Sequence, residues 1–251
     1  MKIQNTFKAN VIWGSLGFSL AIIAALLFDT QQTISYLAAA KAFIFSQFSW
    51  FYILLSAFFL FFLLFLALGR YGDIKLGSDE EEPEFKLGSW IALLFTSGIG
   101  IGIVFLGVAE PLSHFLSPIG EYEKVRTALF FSIFHWSISA WAIYGLIALT
   151  IAYFGFRYKL PFSLRSCFYP LLKEKINGRV GDIIDILGIC TTLFGVVATL
   201  GYSAIRLAAA FHSMHLLDNS PYLVPLILVS VFIIAILISL QGIANGFRIL
   251  S

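Results

Sequence analysis

Three electron-rich rings fall close together in the stretch "FHWSISAWAIYG": Trp136, Trp141 and Tyr144. On a continuous helix turning about 100° per residue, Trp136 at zero places Tyr144 at roughly 80° and Trp141 at roughly 140°, one arc along about 12 Å of axis. The faces of such rings attract a cation that cannot be satisfied by hydrogen bonds, above all a quaternary ammonium, by roughly 0.5–2 kcal/mol each. The plainer reading is core or lipid-facing aromatics in a chain that carries 27 Phe. A second stretch, "SGIGIGIVFLGVAEP", places glycine at 98, 100, 102 and 107 inside an uncharged run. Glycine is a poor helix former, and neighbours on one helix face sit three or four apart rather than two. The alternation predicts a helix interrupted between Ser97 and Gly102, its freed backbone groups facing a buried cavity. The alternative is a close-packing face built on Gly98 and Gly102, which are four apart. His135 adjoins Trp136; an ionisable group at such a position suggests a proton relay, or else a neutral imidazole bonded to a neighbouring helix.

These residues need elements to hold them. Apolar residues make up 59% of the 251 and charged residues 12%, too little polar surface to coat a soluble globule. The formal charge of +2 gives no footing for a nucleic-acid partner. Runs free of Asp, Glu, Lys and Arg predict six transmembrane helices in an all-α polytopic membrane protein: Val11–Phe28, Ala42–Gly69, Leu87–Ala109, Thr127–Phe156, Ile186–Ile205 and Asn219–Phe247. The first has too long a core for a signal peptide. With the N-terminus inside, Lys2, Lys8, Arg70, Lys75, Lys86, Arg157, Lys159, Arg165, Lys173, Lys175, Arg179 and Arg248 are cytoplasmic, most of the 16 basic residues. Arg206 would snorkel at the outer end of the fifth span. The acidic run "DEEEPEF", Asp79 to Phe85, reads as a solvated cytoplasmic loop. Asp182 and Asp185 stand at the start of the fifth span, where the helix dipole favours carboxylates, and read as structural. Glu110, before Pro111, reads as a helix-terminating element, and His114, His212 and His215 as outer, water-facing residues. Cys167 and Cys190 form no framework, and the spans hold no metal-ligand cluster, paired carboxylates or nucleophile beside a base, so neither a metal site nor an enzyme is expected.

Taken with "LPFSLRSCFYPL" and "IDILGICTTLFGVVATLG", the two stretches resemble the betaine/carnitine/choline transporter family from about Leu87 onward. The resemblance divides the chain into residues 1–86, two N-terminal helices and the acidic loop, and residues 87–251, an incomplete first repeat of the transporter core. It implies a partial inverted-repeat fold with an unwound third helix. Gly98, Ile99, Gly100 and Gly102 would line the substrate site, and Trp136, Trp141 and Tyr144 would supply its aromatic box. Backbone carbonyls of Thr96 and Ile99, with Thr192, would contribute to an ion site. No cofactor is implied, only a coupling ion, proton or sodium.

Two sequence departures bear on that transfer. Ser137, Ile138 and Ser139 stand where the family commonly has Gly, Leu and His, so the local helix shape is expected to differ. Sodium-coupled members carry two hydroxyl residues four apart in the fifth span, where this chain has Thr192 and Val196. One oxygen ligand for a hard cation is therefore missing, as in the proton-coupled choline branch. Family members have about twelve helices in two inverted repeats, against six here. The expectation is the N-terminal half of a secondary transporter for quaternary ammonium compounds, first of all choline, in a bacterial cytoplasmic membrane. Its partners would be the bilayer, a missing C-terminal half and, by resemblance, two further copies in a homotrimer. The alternative is a truncated, transport-inactive remnant.

Overall fold

The computed structural model describes residues 8–83, 85–117, 123–218 and 220–240, and for residues 96–105 the helical backbone alone. Among them the regular elements are all helical. In chain order they are α1 (Ala9–Phe28), α2 (Thr30–Leu68), α3 (Leu87–Leu116), α4 (Lys124–Trp136), α5 (Ile138–Phe156), the short α6 (Leu164–Cys167) and α7 (Tyr169–Leu172), a 3-10 turn (Lys173–Asn177), α8 (Arg179–Ser213) and α9 (Leu223–Leu240). Five segments of the described residues are long and apolar enough to cross a membrane: α1, α2, α4 with α5, α8 and α9. The chain is thus an all-α polytopic membrane protein. The expected third span falls within α3, and of the expected sixth Asn219 and residues 241–247 lie outside the described residues.

Two compact units can be distinguished. The first contains residues 1–81 and 111–191, the second residues 82–110 and 192–251. The first unit reverses the burial pattern of a water-soluble bundle. In α1 the buried residues are Val11, Ser15 and Ser19, one stripe at four-residue spacing, while Trp13, Leu27 and Phe28 are exposed. Each buried serine hydroxyl donates to its own helix, Ser15 to Val11 O at 2.7 Å and Ser19 to Ser15 O at 2.9 Å, so no polar group is stranded. Small residues inside and large apolar residues outside are what helix pairing in lipid requires, since lipid already solvates the large ones. Gly14 lets α8 come close: a Cβ there would lie 2.5 Å from Cδ1 of Ile186, so a larger residue would have to push that side chain aside.

The sequence predicts a loop between the first two spans up to Lys41, but α2 begins at Thr30. Residues 30–41 include three consecutive Ala, two Gln, Leu37 and Lys41, which keep helical propensity without a long apolar run. Asp29 alone separates the helices; it leaves the helical region at φ −149° and its side chain accepts from Gln32 N at 2.9 Å, capping α2. Beyond α2, the loop is held to the end of α5 by Arg157, which donates to Lys75 O at 2.8 Å and to Asp79 Oδ1 at 2.6 Å.

The predicted interruption of the third span is overturned. α3 is one helix from Leu87 to Leu116, through Gly98, Gly100 and Gly102. Each glycine lowers helix propensity by about 1 kcal/mol but keeps its N–H, so no backbone bond has to break. In an apolar medium an unmade backbone bond costs several kcal/mol, and continuity wins. The interruption occurs in the fourth span instead. α4 stops at Trp136 and α5 starts at Ile138, with Ser137 between them in an extended conformation at φ −85° and ψ −172°.

In the second unit, two hydroxyls of α8 bond to its own backbone, Thr199 donating to Gly195 O and Ser203 to Thr199 O. Near its end the Arg206 guanidinium lies 4.8 Å from the Tyr202 ring centroid, with a nitrogen 2.9 Å from the phenol oxygen. The basic group is thus supported by a ring one turn back.

Candidate functional site

The break at Ser137 organises the aromatic stretch. Ending α4 inside an apolar segment frees carbonyls that must find donors. Phe134 O accepts from the hydroxyls of Ser137 and Ser139, each at 3.3 Å, and those hydroxyls lie 3.4 Å from one another. Trp136 O accepts from the Trp141 indole N–H at 3.3 Å. On the other side, Ala140 N donates to Ser137 O at 3.1 Å, and Ser139 O accepts from Ser56 of α2 at 3.5 Å. The departures at Ser137 and Ser139 therefore supply donors to the carbonyls that the break exposes.

The same bonds orient the rings. The indole of Trp141 is tied back across the break, and the Tyr144 ring stands 6.0 Å from it at 47° between planes. Trp141 is 40% exposed and Tyr144 70%, so both faces are open to a ligand or to lipid. The structure thus brings Trp141 and Tyr144 together as a corner, and Trp136 joins through its carbonyl. The single arc drawn on a continuous helix does not apply across Ser137, because Trp136 lies on α4 and the other two rings on α5. The carbonyl end of α4 also carries partial negative charge, which favours a cation nearby.

The remaining candidates lie elsewhere. The side chains of Thr96 and Ile99, and the surroundings of Gly98, Gly100 and Gly102, fall outside what is described, although all five lie in α3. Thr192 is exposed on α8 in the second unit, with Val196 one turn on, also exposed.

Sequence reasoning missed a polar knot in the first unit. Arg165, in the loop motif "LPFSLRS", is 3% exposed. Its Nε donates to Asp185 Oδ2 and its backbone N to Asp185 Oδ1 at 2.9 Å, while a terminal nitrogen reaches Asp182 Oδ1 at 3.2 Å and Ile176 O at 3.5 Å. Lys8, just before α1, donates to Asp182 at 3.1 Å and to Asn177 O at 2.6 Å. Asp182 and Asp185 are structural, as expected, but their work is to bind Arg165 and the N-terminal segment to the start of α8. Gly181 is required there, since a Cβ would collide with Ile176 O. Cys167 sits half-buried beside the knot, and burial pushes its thiol above the ordinary range, with the Asp185 carboxylate adding to the rise against a lowering backbone hydrogen bond. One signal was available: an arginine in an apolar loop motif about twenty residues before two aspartates three apart.

Fold and site together define a helical membrane protein with an interrupted, aromatic-flanked span. The model of the betaine/carnitine/choline family transporters matches residues 10–251, and the chain belongs to that family, which is one of transporters and not of enzymes. It is similar to an uncharacterized transporter of Haemophilus influenzae, 47% identical over 100% of this chain and 38% of the relative. It is 41% identical to a glycine betaine transporter of Bacillus subtilis, over 89% of this chain and 44% of that one. An osmo-dependent choline transporter of Acinetobacter baylyi is 39% identical, over 82% of this chain and 31% of its own length. The chain thus spans less than half the length of these three curated relatives.

Proposed function

We propose that this chain forms the N-terminal part of a secondary transporter that carries a quaternary ammonium compound, choline before betaine or carnitine, across a bacterial cytoplasmic membrane. The observation that carries this reading is the Trp141–Tyr144 corner, fixed by the indole bond to Trp136 O at the break of the fourth span. A quaternary ammonium gains nothing from hydrogen-bond donors, and ring faces beside a carbonyl-rich helix end are the surroundings that favour it. Trp136 completes the aromatic set in this reading, and the family resemblance adds Gly98, Ile99, Gly100 and Gly102 of α3 as candidates for the substrate site. Thr96, Ile99 and Thr192 are the candidates for the coupling ion, proton or sodium, with Val196 arguing for the proton. Apolar runs support six spans and the Lys/Arg bias an N-terminus inside, while family resemblance supports a homotrimer and a second repeat contributed by a C-terminal half.

The test is radiolabelled choline uptake by cells expressing a complete transporter that contains this half, with surface abundance measured in parallel. Trp141→Leu keeps apolar bulk but removes the ring quadrupole; losing about 1–2 kcal/mol weakens apparent affinity roughly five- to thirty-fold. Trp141→Phe does less harm. Unchanged affinity in both variants returns the corner to ordinary packing. Absence of uptake by every arrangement containing this half favours the inactive remnant.

A further inference from the structure

The interruption of the fourth span holds three oxygens at a spacing that hydrogen bonding alone does not explain. Phe134 O lies 3.3 Å from the hydroxyl of Ser137 and 3.3 Å from that of Ser139, and the two hydroxyls lie 3.4 Å apart. A well-made O–H···O bond closes to about 2.5–3.0 Å. Serines elsewhere in the first unit do close, Ser132 onto Ala128 O at 2.8 Å and Ser15 onto Val11 O at 2.7 Å. The trio, in that same unit, stands instead as a nearly equilateral triangle.

A triangle of this size is one face of an octahedron of ligands. Its edge is √2 times the distance from ion to oxygen, so edges of 3.3–3.4 Å correspond to about 2.3–2.4 Å, within the range of Ca2+ and too long for Mg2+. Na+ has nearly the radius of Ca2+ and half its charge. The three oxygens are neutral, with no carboxylate among them to offset a divalent ion, and the larger K+ would have to spread the triangle. The carbonyl end of α4 adds partial negative charge, and helix ends of this kind hold Na+ in membrane proteins with broken helices.

We propose that Phe134 O, Ser137 Oγ and Ser139 Oγ form a Na+ site at the break, with water completing the coordination. The site uses none of Thr96, Ile99 and Thr192. Ser137 and Ser139 are residues at which this chain departs from the family's common Gly and His, so the hydroxyl pair belongs to this chain's own sequence.

The experiment uses the whole chain purified in a non-ionic detergent, titrated with NaCl against N-methylglucamine chloride at constant ionic strength and read by the line width of sodium NMR. The expected result is saturable broadening equivalent to one Na+ per chain, which an equal concentration of K+ does not displace. Ser137→Ala and Ser139→Ala each weaken binding by about tenfold or more, the worth of a hydrogen-bonding oxygen that faces a charge. Ser137→Thr keeps the oxygen on an extended backbone and retains binding, and Ser132→Ala leaves it unchanged. Helical ellipticity and gel filtration establish which variants are folded, and the comparison of Na+ with K+ in the natural chain decides the question without any variant. No saturable component, displacement by K+ as readily as by Na+, or binding that survives Ser137→Ala with Ser139→Ala in folded protein overturns the proposal. Because binding and not uptake is measured, its failure leaves the choice of transported compound untouched.

Discussion

Two places in the first unit confront the same difficulty and solve it with different chemistry. At Ser137 a helix stops and restarts inside an apolar segment, and the freed carbonyls of Phe134 and Trp136 are met by two serine hydroxyls and an indole N–H. At the start of α8 the chain arrives from an irregular loop, and the groups there are met by the buried ionic knot of Arg165, Asp185, Asp182 and Lys8. The surroundings explain the choice. Within an apolar stretch, moving a charge out of water is too costly, so neutral donors on the helix itself serve. In the loop, charges retain an opposite partner and several hydrogen bonds, which offset their desolvation when the geometry is good. The neutral solution leaves rings and carbonyls open to a ligand, whereas the ionic one locks a joint.

The largest expected effect tests the locked joint. Asp185→Ala removes the carboxylate that accepts from both the backbone N and Nε of Arg165, which is 3% exposed. Breaking a buried pair costs about 3–5 kcal/mol, an upper bound here because Asp182 still pairs with the guanidinium. Asp79→Ala removes the partner of Arg157 at a site where the aspartate side chain is 80% exposed, and about 0–1 kcal/mol is expected there. Equilibrium unfolding of the chain in mixed micelles measures both. Equal losses would mean that the knot is no more than a surface pair.

The break should respond more gently. Ser139→Ala removes one of the two hydroxyls that meet Phe134 O, and a net loss of about 0.5–1.5 kcal/mol is expected, because the Ser137 hydroxyl still reaches the same carbonyl. Ser137→Ala with Ser139→Ala leaves that carbonyl without either donor and costs more than the sum of the single changes. Additive losses in the same unfolding assay would remove the serines from the account of the break.

How legible these two regions were in the sequence differs for physical reasons. Hydropathy marks the spans because the bilayer demands about 20 apolar residues, and α1 and α9 lie within the expected runs apart from a few terminal residues. It missed residues 30–41 of α2, since a helix can extend beyond an apolar run on propensity and a cap alone. Trp141 and Tyr144 could be named from spacing, which survives because both lie on one uninterrupted helix, α5. The position of the break could not. Glycine weakens a helix without removing any donor, so the "GIGIG" run stays helical. Serine can supply a replacement bond when a helix breaks, so "WSIS" tolerates the interruption; which effect prevails depends on neighbours such as Ser56 of α2. Arg165 was read as one more cytoplasmic charge, because its partners, Asp182 and Asp185, are brought to it by the turn between α6 and α8.

The smallest effect expected is chemical and concerns Cys167, at the end of α6 beside the knot. The thiolate is the reactive form, and burial first, then the Asp185 carboxylate, raise the thiol above its ordinary range. At any pH below that raised value Cys167 holds less thiolate than a solvated cysteine, so its maleimide labelling is slower, and the rate climbs only at a more alkaline pH. In a Cys190→Ala background Cys167 is the sole thiol, and Glu80→Cys with Cys167→Ser provides the exposed reference on the loop after α2. Asp185→Asn removes the carboxylate charge and brings the Cys167 profile slightly toward the reference, because burial remains the larger cause. Should Asp185→Asn make labelling as fast as at the exposed position, the knot itself keeps water from the thiol, and the contrast with the open corner at Ser137 becomes one of solvent access as well as charge. If Cys167 already labels like the reference in the natural sequence, the joint is not closed, and the contrast between the two regions fails.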